Sequence, residues 1–357
     1  MFNVKTPWLI LEKTELEFEN NGVMNPAVIK EGKTVHMFYR AVKKINYSSI
    51  GYCKLEGPDT IRERLKNPVL IPSDESESEG VEDPRIVKIA DTYYLSYIAF
   101  DGANALGSLA ISNDLKNFEK RGIIVPQLTY EKFTSLLKSV NHISPEYFTL
   151  NETSKITNTK KKVLVSDKDV MFFPRRINDR LAFLHRIRPA IQIVYFNTVD
   201  DLTEAFWEEY FFNFKKFIVL EPKYAHEALY IGGGCPPIET KDGWLFIYHG
   251  VENTPKGNIY NACAALLDLE NPSTEIARLK TPLFSPALTL KNGIVSKYVF
   301  PTGTALFDDD LYIYYGRDDF CVWVSSVKLS ELLTEFISVA LLVEHFQLVR
   351  ILFFEIL

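Results

Sequence analysis

With 357 residues, of which 46% are hydrophobic and 24% charged, the chain can bury a sizeable core and does not have the composition of a disordered or fibrous protein. Forty basic residues stand against 46 acidic ones, a net charge of −6. Apart from a lysine run at 160–162 the basic residues are dispersed, so neither nucleic acid nor an acidic membrane is an expected partner.

The first twenty residues, MFNVKTPWLILEKTELEFEN, hold an apolar run of only four before Glu12, too short for a secretion signal. A cytoplasmic location is expected, or a periplasmic one if a leader has been removed. One strand-like form then recurs five times: KEGKTVHMFYR (30–40), KIADTYYLSYIAF (88–100), INDRLAFLHRI (177–187), TKDGWLFIYHG (240–250) and FDDDLYIYYG (307–316). Each carries Gly, Asp or Asn where a tight turn is wanted and continues as an aromatic or β-branched strand, which predicts five hairpins. With Tyr39, Tyr97, His185, Tyr248 and Tyr315 as equivalent points, the separations are 58, 88, 63 and 67. An insertion of roughly 25 residues in the second interval leaves a period near 60, the scale of four-stranded propeller blades with long loops.

The insertion, 126–161, loses the strand pattern and reads as one or two helices with a polar linker, serving either as a lid or as part of a binding site. The tail from Phe336 is apolar, but Glu344, His345, Arg350 and Glu355 interrupt it, and a bilayer-spanning helix needs about 20 mostly apolar residues. The expected fold is therefore all-β: a five-bladed β-propeller filling 1–357 as one catalytic domain, with the helical insertion and a C-terminal extension. Residues 330–357 stay unassigned, and a homo-oligomer is left open. A β-sandwich is the alternative, but its strands lack the longer period.

A propeller gathers its inner strands around a channel, so the strand ends carrying Arg40, Asp101, Arg186, His249 and Asp319 are expected to converge on a pocket suited to a sugar or a phosphate. The cysteines Cys53, Cys235, Cys263 and Cys321 show no CxxC spacing and the histidines no HxxxH spacing. They predict buried thiols and no metal. Gly232-Gly233-Gly234 lacks the form of a nucleotide loop and reads as a tight turn.

The segments MNPAVI, YRAV, GVEDPRI, AFDG, FFPRRI, LHRIRPA, IGGGCPPIETKDGWLFIYHG, LLDLENP, VFPTG and YYGRDD resemble glycoside hydrolase family 130, in the family's order, over about 23–320. The resemblance implies a five-bladed propeller that cleaves β-mannosides with inversion. Some members are phosphorylases, in which inorganic phosphate attacks, and others are hydrolases, in which a carboxylate activates water.

By the same resemblance, Asp101 falls at the general acid, which acts through a hydroxyl of the bound mannose, with Phe100 where a tyrosine is more usual. Asn25, Arg40 and Asp319 fall where the mannose is held. Glu82-Asp83-Pro84-Arg85 either lines the pocket through Asp83 and Arg85 or braces its loop. The phosphorylases' anion site corresponds to Lys168, Arg186, Tyr230, His249 and Tyr260. Lys168 stands where an arginine is usual, and Tyr230 replaces a lysine, so one fixed positive charge is missing. Glu227, three residues before Tyr230, can then activate water, with Glu252 as a second candidate base. The leading expectation is an inverting β-mannosidase acting on β-1,2-mannosides, with no cofactor and a small oligosaccharide as its partner. The alternatives are a phosphorylase with phosphate as co-substrate and a non-catalytic carbohydrate-binding propeller.

Overall fold

The computed structural model describes residues 2–43, 47–153, 155, 159–286, 296–318 and 320–338. Its strands are β1 (Trp8–Glu12), β2 (Gly22–Glu31), β3 (Thr34–Lys43), β4 (Tyr47–Glu56), β5 (Thr60–Arg64), β6 (Gly80–Ile89), β7 (Thr92–Phe100), β8 (Ala105–Ser112) and β9 (Glu119–Ile123). Helices α1 (Tyr130–Lys138) and α2 (Glu146–Thr153) follow, then β10 (Lys168–Phe172), β11 (Leu181–Arg186), β12 (Ile191–Phe196), α3 (Glu204–Phe212) and β13 (Ile218–Leu220). The remainder is β14 (Tyr230–Gly233), β15 (Ile238–Thr240), β16 (Gly243–Thr254), β17 (Gly257–Leu267), β18 (Glu275–Arg278), β19 (Val299–Phe307), β20 (Asp310–Arg317) and β21 (Cys321–Lys328).

All five expected hairpins form, and the turn residues supply the left-handed backbone that a tight reversal needs. Gly32 has φ 58°, Ala90 52°, Asn178 47°, Asp179 63° and Asp308 53°. Each hairpin continues as an antiparallel meander: β2 to β5, β6 to β9, β10 to β13, β14 with β16 to β18, and β19 to β21 with β1 added outside β21. One parallel bridge, Ser48 to Gly80, joins the first two meanders, so the strands count as four sheets. The first strands are neighbours in space as well: β2 packs on β6, β6 on β10, β10 on β14, and β19 on β2.

The insertion is helical, as expected, and α1 and α2 cover the third meander together with α3. Phe133, Tyr147, Trp207, Tyr210 and Phe211 pack with Phe172, Phe183 and Phe196 of the sheet in one buried cluster. Full burial of each such ring stabilises by roughly 1.5–3 kcal/mol. After β21 the chain is helical over 329–338, where Leu332, Leu333 and Phe336 close a core shared with Leu311 and Ile313. The rest of the unassigned tail, and Asp319, lie outside the described residues. Cys53, Cys235 and Cys263 are buried as expected, whereas Cys321 is only half-buried. No helix among the described residues is long and apolar enough to cross a membrane.

An anchor recurs in three meanders. Glu19, Glu77 and Glu227 each stand three residues before a first strand, at the end of a 3-10 turn (Glu17–Glu19, Glu75–Glu77, Ala225–Glu227). Each accepts a hydroxyl from the second strand: Tyr39 for Glu19 and Tyr97 for Glu77, both at 2.7 Å, and Tyr248 for Glu227. Each is neutralised from the fourth strand, by Arg64, Lys120 and Arg278 respectively. In the third meander His185 takes the tyrosine's place, between Asp167 and the Tyr210 hydroxyl.

Candidate active site

The first strands bulge toward a common centre. Register shifts occur at Met24/Ala27, Glu82/Arg85 and Lys168/Met171. Within them Asn25, Asp83 and Asp169 adopt left-handed φ of 48°, 47° and 57°. Such backbone costs on the order of 1–3 kcal/mol, and Asn and Asp tolerate it best. The bulges face a cavity of about 230 Å³ whose walls also include Phe300 and Thr302 of β19. The second strands add Arg40, Arg186 and His249, each one residue beyond the meander's Tyr or His, while Tyr260 of β17 and Arg188 complete the lining.

One side of this cavity is a polar network in which, of the buried side-chain atoms of Asn25, Arg40, Glu82 and Asp83, Asn25 Oδ1 alone is left without a hydrogen-bond partner. Asn25 Nδ2 donates to Asp83 Oδ1 at 2.7 Å, Arg40 Nη2 pairs with Glu82 at 2.6 Å, and Arg40 Nη1 lies 3.5 Å from Asp83. Burial raises the Glu82 carboxyl above its usual range, against the pull of Arg40. Arg85 lines the cavity, yet its guanidinium donates to Gly234 O and to the carbonyls of Asp83 and Pro84. It therefore braces β6 against the chain just after β14.

The opposite side is cationic. Lys168 makes no hydrogen bond or ion pair among the described residues, and burial lowers its ammonium below the usual value. Arg186 Nε lies 2.9 Å from Asp169 Oδ2, but the geometry is that of an ion pair without a hydrogen bond, and both atoms stay unsatisfied. Two guanidiniums share one ring: Arg186 stands 5.5 Å and Arg188 4.2 Å from the Tyr230 centroid. The Tyr230 and Tyr260 hydroxyls bond at 2.7 Å. Burial drives the His249 imidazole down to about 4, with Asp169 opposing and the three arginines nearby reinforcing, so it is neutral at pH 7.

The triple glycine is a packing device for this site. A Cβ at position 232 would collide with the His249 ring and stand 2.9 Å from Asp169 Oδ2, and one at 233 would meet the Met171 side chain.

Several expected site residues thus come together: Asn25, Arg40, Asp83, Arg85, Lys168, Arg186, His249 and Tyr260. Asp101 does not join them. The layer of Arg40, Arg186 and His249 is occupied in the second meander by Ile98, and Asp101 lies three residues, about 10 Å of strand, further along. Its carboxylate accepts Ala103 N at 2.8 Å, Asn104 N at 2.6 Å and Asn104 Nδ2 at 3.0 Å, with Lys161 at 3.7 Å. Although burial works the other way, these donors hold it below the usual carboxylate range.

Glu227 is a correction. The expectation that it activates water fails because it is fully buried and both oxygens are used, one by Tyr248 and the other by Arg278 at 3.1 Å and the Lys223 N–H at 2.8 Å. It is the fourth meander's anchor. Glu252 is corrected as well: three residues beyond His249 on an extended strand it faces the other side of the sheet, beside His226, and it does not line the cavity.

Asp169, Arg188, Phe300 and Thr302 were not anticipated. Arg188 had a signal, since it follows Arg186 by two residues in LHRIRPA and alternation puts both on one face.

Among the described residues, His226, Glu227 and Cys263 bring potential metal-ligand atoms within 4.8 Å of one another, with the Glu227 carboxylate already engaged by Tyr248, Arg278 and the Lys223 N–H. A larger cavity of about 700 Å³ lies between residues 142–144, β13 and β18. Its Lys223 and Arg278 are both engaged by Glu275, and it holds none of the residues expected at the site.

The sequence matches the family described as beta-1,4-mannooligosaccharide phosphorylase, glycoside hydrolase family 130, over residues 8–337. A 1,2-beta-oligomannan phosphorylase of Thermoanaerobacter sp. is 32% identical over 91% of this chain and 96% of that protein. A beta-1,2-mannobiose phosphorylase of the same organism is 34% identical over 88% of this chain and 92% of that one. The solved beta-1,2-mannobiose phosphorylase of Listeria innocua superposes with a TM-score of 0.66 at 23% identity, covering 88% of this chain and 92% of the other. A match spanning nearly the whole chain, with relatives above 30% identity along their full length, means that the chain belongs to glycoside hydrolase family 130.

Proposed function

We propose that this protein is a phosphorylase of β-1,2-mannosides, built as a five-bladed propeller whose five meanders are the blades. The observation that carries the reading is the cationic wall of Lys168, Arg186 and Arg188 beside neutral His249, facing a cavity in which neither candidate base stands. A hydrolase needs a carboxylate free to deprotonate water. Here Asp169 is held by Arg186 and Asp83 by Asn25 and Arg40, whereas the cations suit an anionic nucleophile. The phosphorylase activities of the relatives point the same way.

In this reading the Asn25–Asp83–Arg40 side grips hydroxyls of the terminal mannose, since forked donors and acceptors in a rigid network fix a sugar ring. Phosphate held by Lys168, Arg186 and His249 attacks the anomeric carbon with an oxygen lone pair. The bond from that carbon to the bridging oxygen breaks, its electron pair goes to the leaving sugar, and that oxygen takes a proton. Inversion gives α-mannose 1-phosphate and a mannoside one unit shorter. Asp101 is the proposed general acid, acting through a sugar hydroxyl that spans the distance to the bridging oxygen; in this role bound substrate takes the place of the Ala103 and Asn104 donors that now hold its carboxyl low, and the incoming phosphate monoanion supplies the proton overall. No cofactor takes part. Omitting phosphate from a purified preparation tests the reading: turnover of β-1,2-mannobiose should stop.

A further inference from the structure

Tyr230 was expected to leave the anion site one positive charge short. The structure puts a guanidinium on that tyrosine. Arg188 lies over the ring face, 4.2 Å from its centroid, with Nη2 3.3 Å from the hydroxyl. A cation over a phenol ring is held by the ring's negative face, which keeps the charge of Arg188 at the wall of the cavity. Arg186 approaches the same ring, and burial, followed by the opposition of these two like charges, lowers the Arg188 guanidinium. An anion between them relieves that repulsion.

The main chain of Arg188 is fixed from the insertion. Asn151 of α2 is buried, and its amide donates to Arg188 O at 2.9 Å and Tyr147 O at 2.7 Å. Gln192, also buried, ties down the preceding residue through both Ile187 N at 2.7 Å and Ile187 O at 3.0 Å. A second cavity, about 200 Å³, has Tyr130 and Asn151 of the insertion on one side and Lys168, Arg186 and Arg188 on the other. The insertion therefore stands against the cationic wall.

We propose that Arg188 is a phosphate ligand that restores the charge absent at Tyr230, and that Asn151 is a positioning residue through which the insertion holds Arg188 in place. The proposal rests on the phosphorylase reading. It makes the insertion part of the anion site, where the sequence left open a lid or a binding role.

The test is steady-state kinetics of the full chain with β-1,2-mannobiose and inorganic phosphate varied separately, for the wild type, Arg188→Ala, Asn151→Ala and the double variant. Arg188→Ala should raise KM for phosphate by about tenfold or more, as loss of a charged hydrogen bond does, and leave KM for the mannoside within about twofold. Asn151→Ala should shift the same constant in the same direction by less. In the double variant it should add nothing to Arg188→Ala, because it acts through that residue. Arg188→Lys should recover part of the loss, since it keeps the charge without the fork. Thermal melts with and without phosphate give a second readout: the phosphate-induced rise in Tm should shrink in Arg188→Ala. An unchanged phosphate KM in Arg188→Ala, or equal rises for phosphate and mannoside, would overturn the role of Arg188. Additive losses in the double variant would overturn that of Asn151. A wild type that turns over without phosphate would defeat the phosphorylase reading itself, before any variant is compared.

Discussion

The Tyr248 hydroxyl donates to the Glu227 carboxylate as Tyr39 does to Glu19 and Tyr97 to Glu77. In all three the glutamate lies three residues ahead of a first strand and faces a cation from a fourth strand. This repetition makes Glu227 a fastener of its meander and moves it out of the chemistry.

Glu227→Gln should accordingly cost stability. Arg278 is 2% and Glu227 0% exposed at the side chain, and breaking a buried pair costs at most about 3–5 kcal/mol here, because Glu275 still engages Arg278. Chemical denaturation should register a loss of this size, while phosphate dependence per folded molecule stays as in the wild type. Loss of turnover in a variant with wild-type stability would return Glu227 to the mechanism.

Lys168 is the cleanest probe of the anion site because its ammonium has no protein partner among the described residues. Lys168→Ala should raise KM for phosphate roughly ten- to a hundredfold, the range for removing a charged hydrogen bond. The mannoside KM should move little. An effect confined to the sugar would place the anion elsewhere.

These expectations differ unevenly from what the residues alone offered. The five hairpins were legible because Gly, Asp and Asn mark the turns at Gly32, Asn178, Asp179 and Asp308 and aromatic strands follow. Arg40, Arg186 and His249 were legible because each follows its meander's Tyr or His directly. Asp101 was grouped with them from strand ends, but it falls three residues past the equivalent position, taken by Ile98; in the fifth meander that position is Gly316. Gly316 is small for a reason: a Cβ there would press on Asn25. Glu227 misled because one glutamate beside a depleted anion site looks like a base, and only comparison with Glu19 and Glu77 at the same offset shows the anchor. Arg188 was signalled only by its two-residue spacing from Arg186; that its guanidinium lies over Tyr230 depends on how the chain after β11 passes that ring.

His249 gives the stability a pH signature. Its folded-state value, about 4, lies below the unfolded value near 6.5. Between the two the unfolded chain binds the extra proton, so stability is intact above pH 6.5 and falls as pH drops toward 4. The loss is on the order of 3 kcal/mol. Denaturation of wild type and His249→Gln at pH 7 and pH 4.5 should show the variant losing distinctly less on acidification. Equal losses would mean that His249 is not buried as a neutral ring.

Asp101→Asn tests the proton source. Removing a positioned acid lowers kcat by roughly a hundred- to ten-thousandfold, and KM for phosphate should be unaffected. Full activity in this variant would leave Asp101 with its turn-holding hydrogen bonds to Ala103 and Asn104 as its whole function.

The account depends most on what attacks the mannose, so the decisive measurement is NMR product analysis of the wild-type protein with β-1,2-mannobiose, with and without inorganic phosphate. Mannose 1-phosphate together with mannose when phosphate is present, and no turnover without it, is the predicted result. Mannose released at the same rate without phosphate, and no sugar phosphate in either reaction, would contradict it.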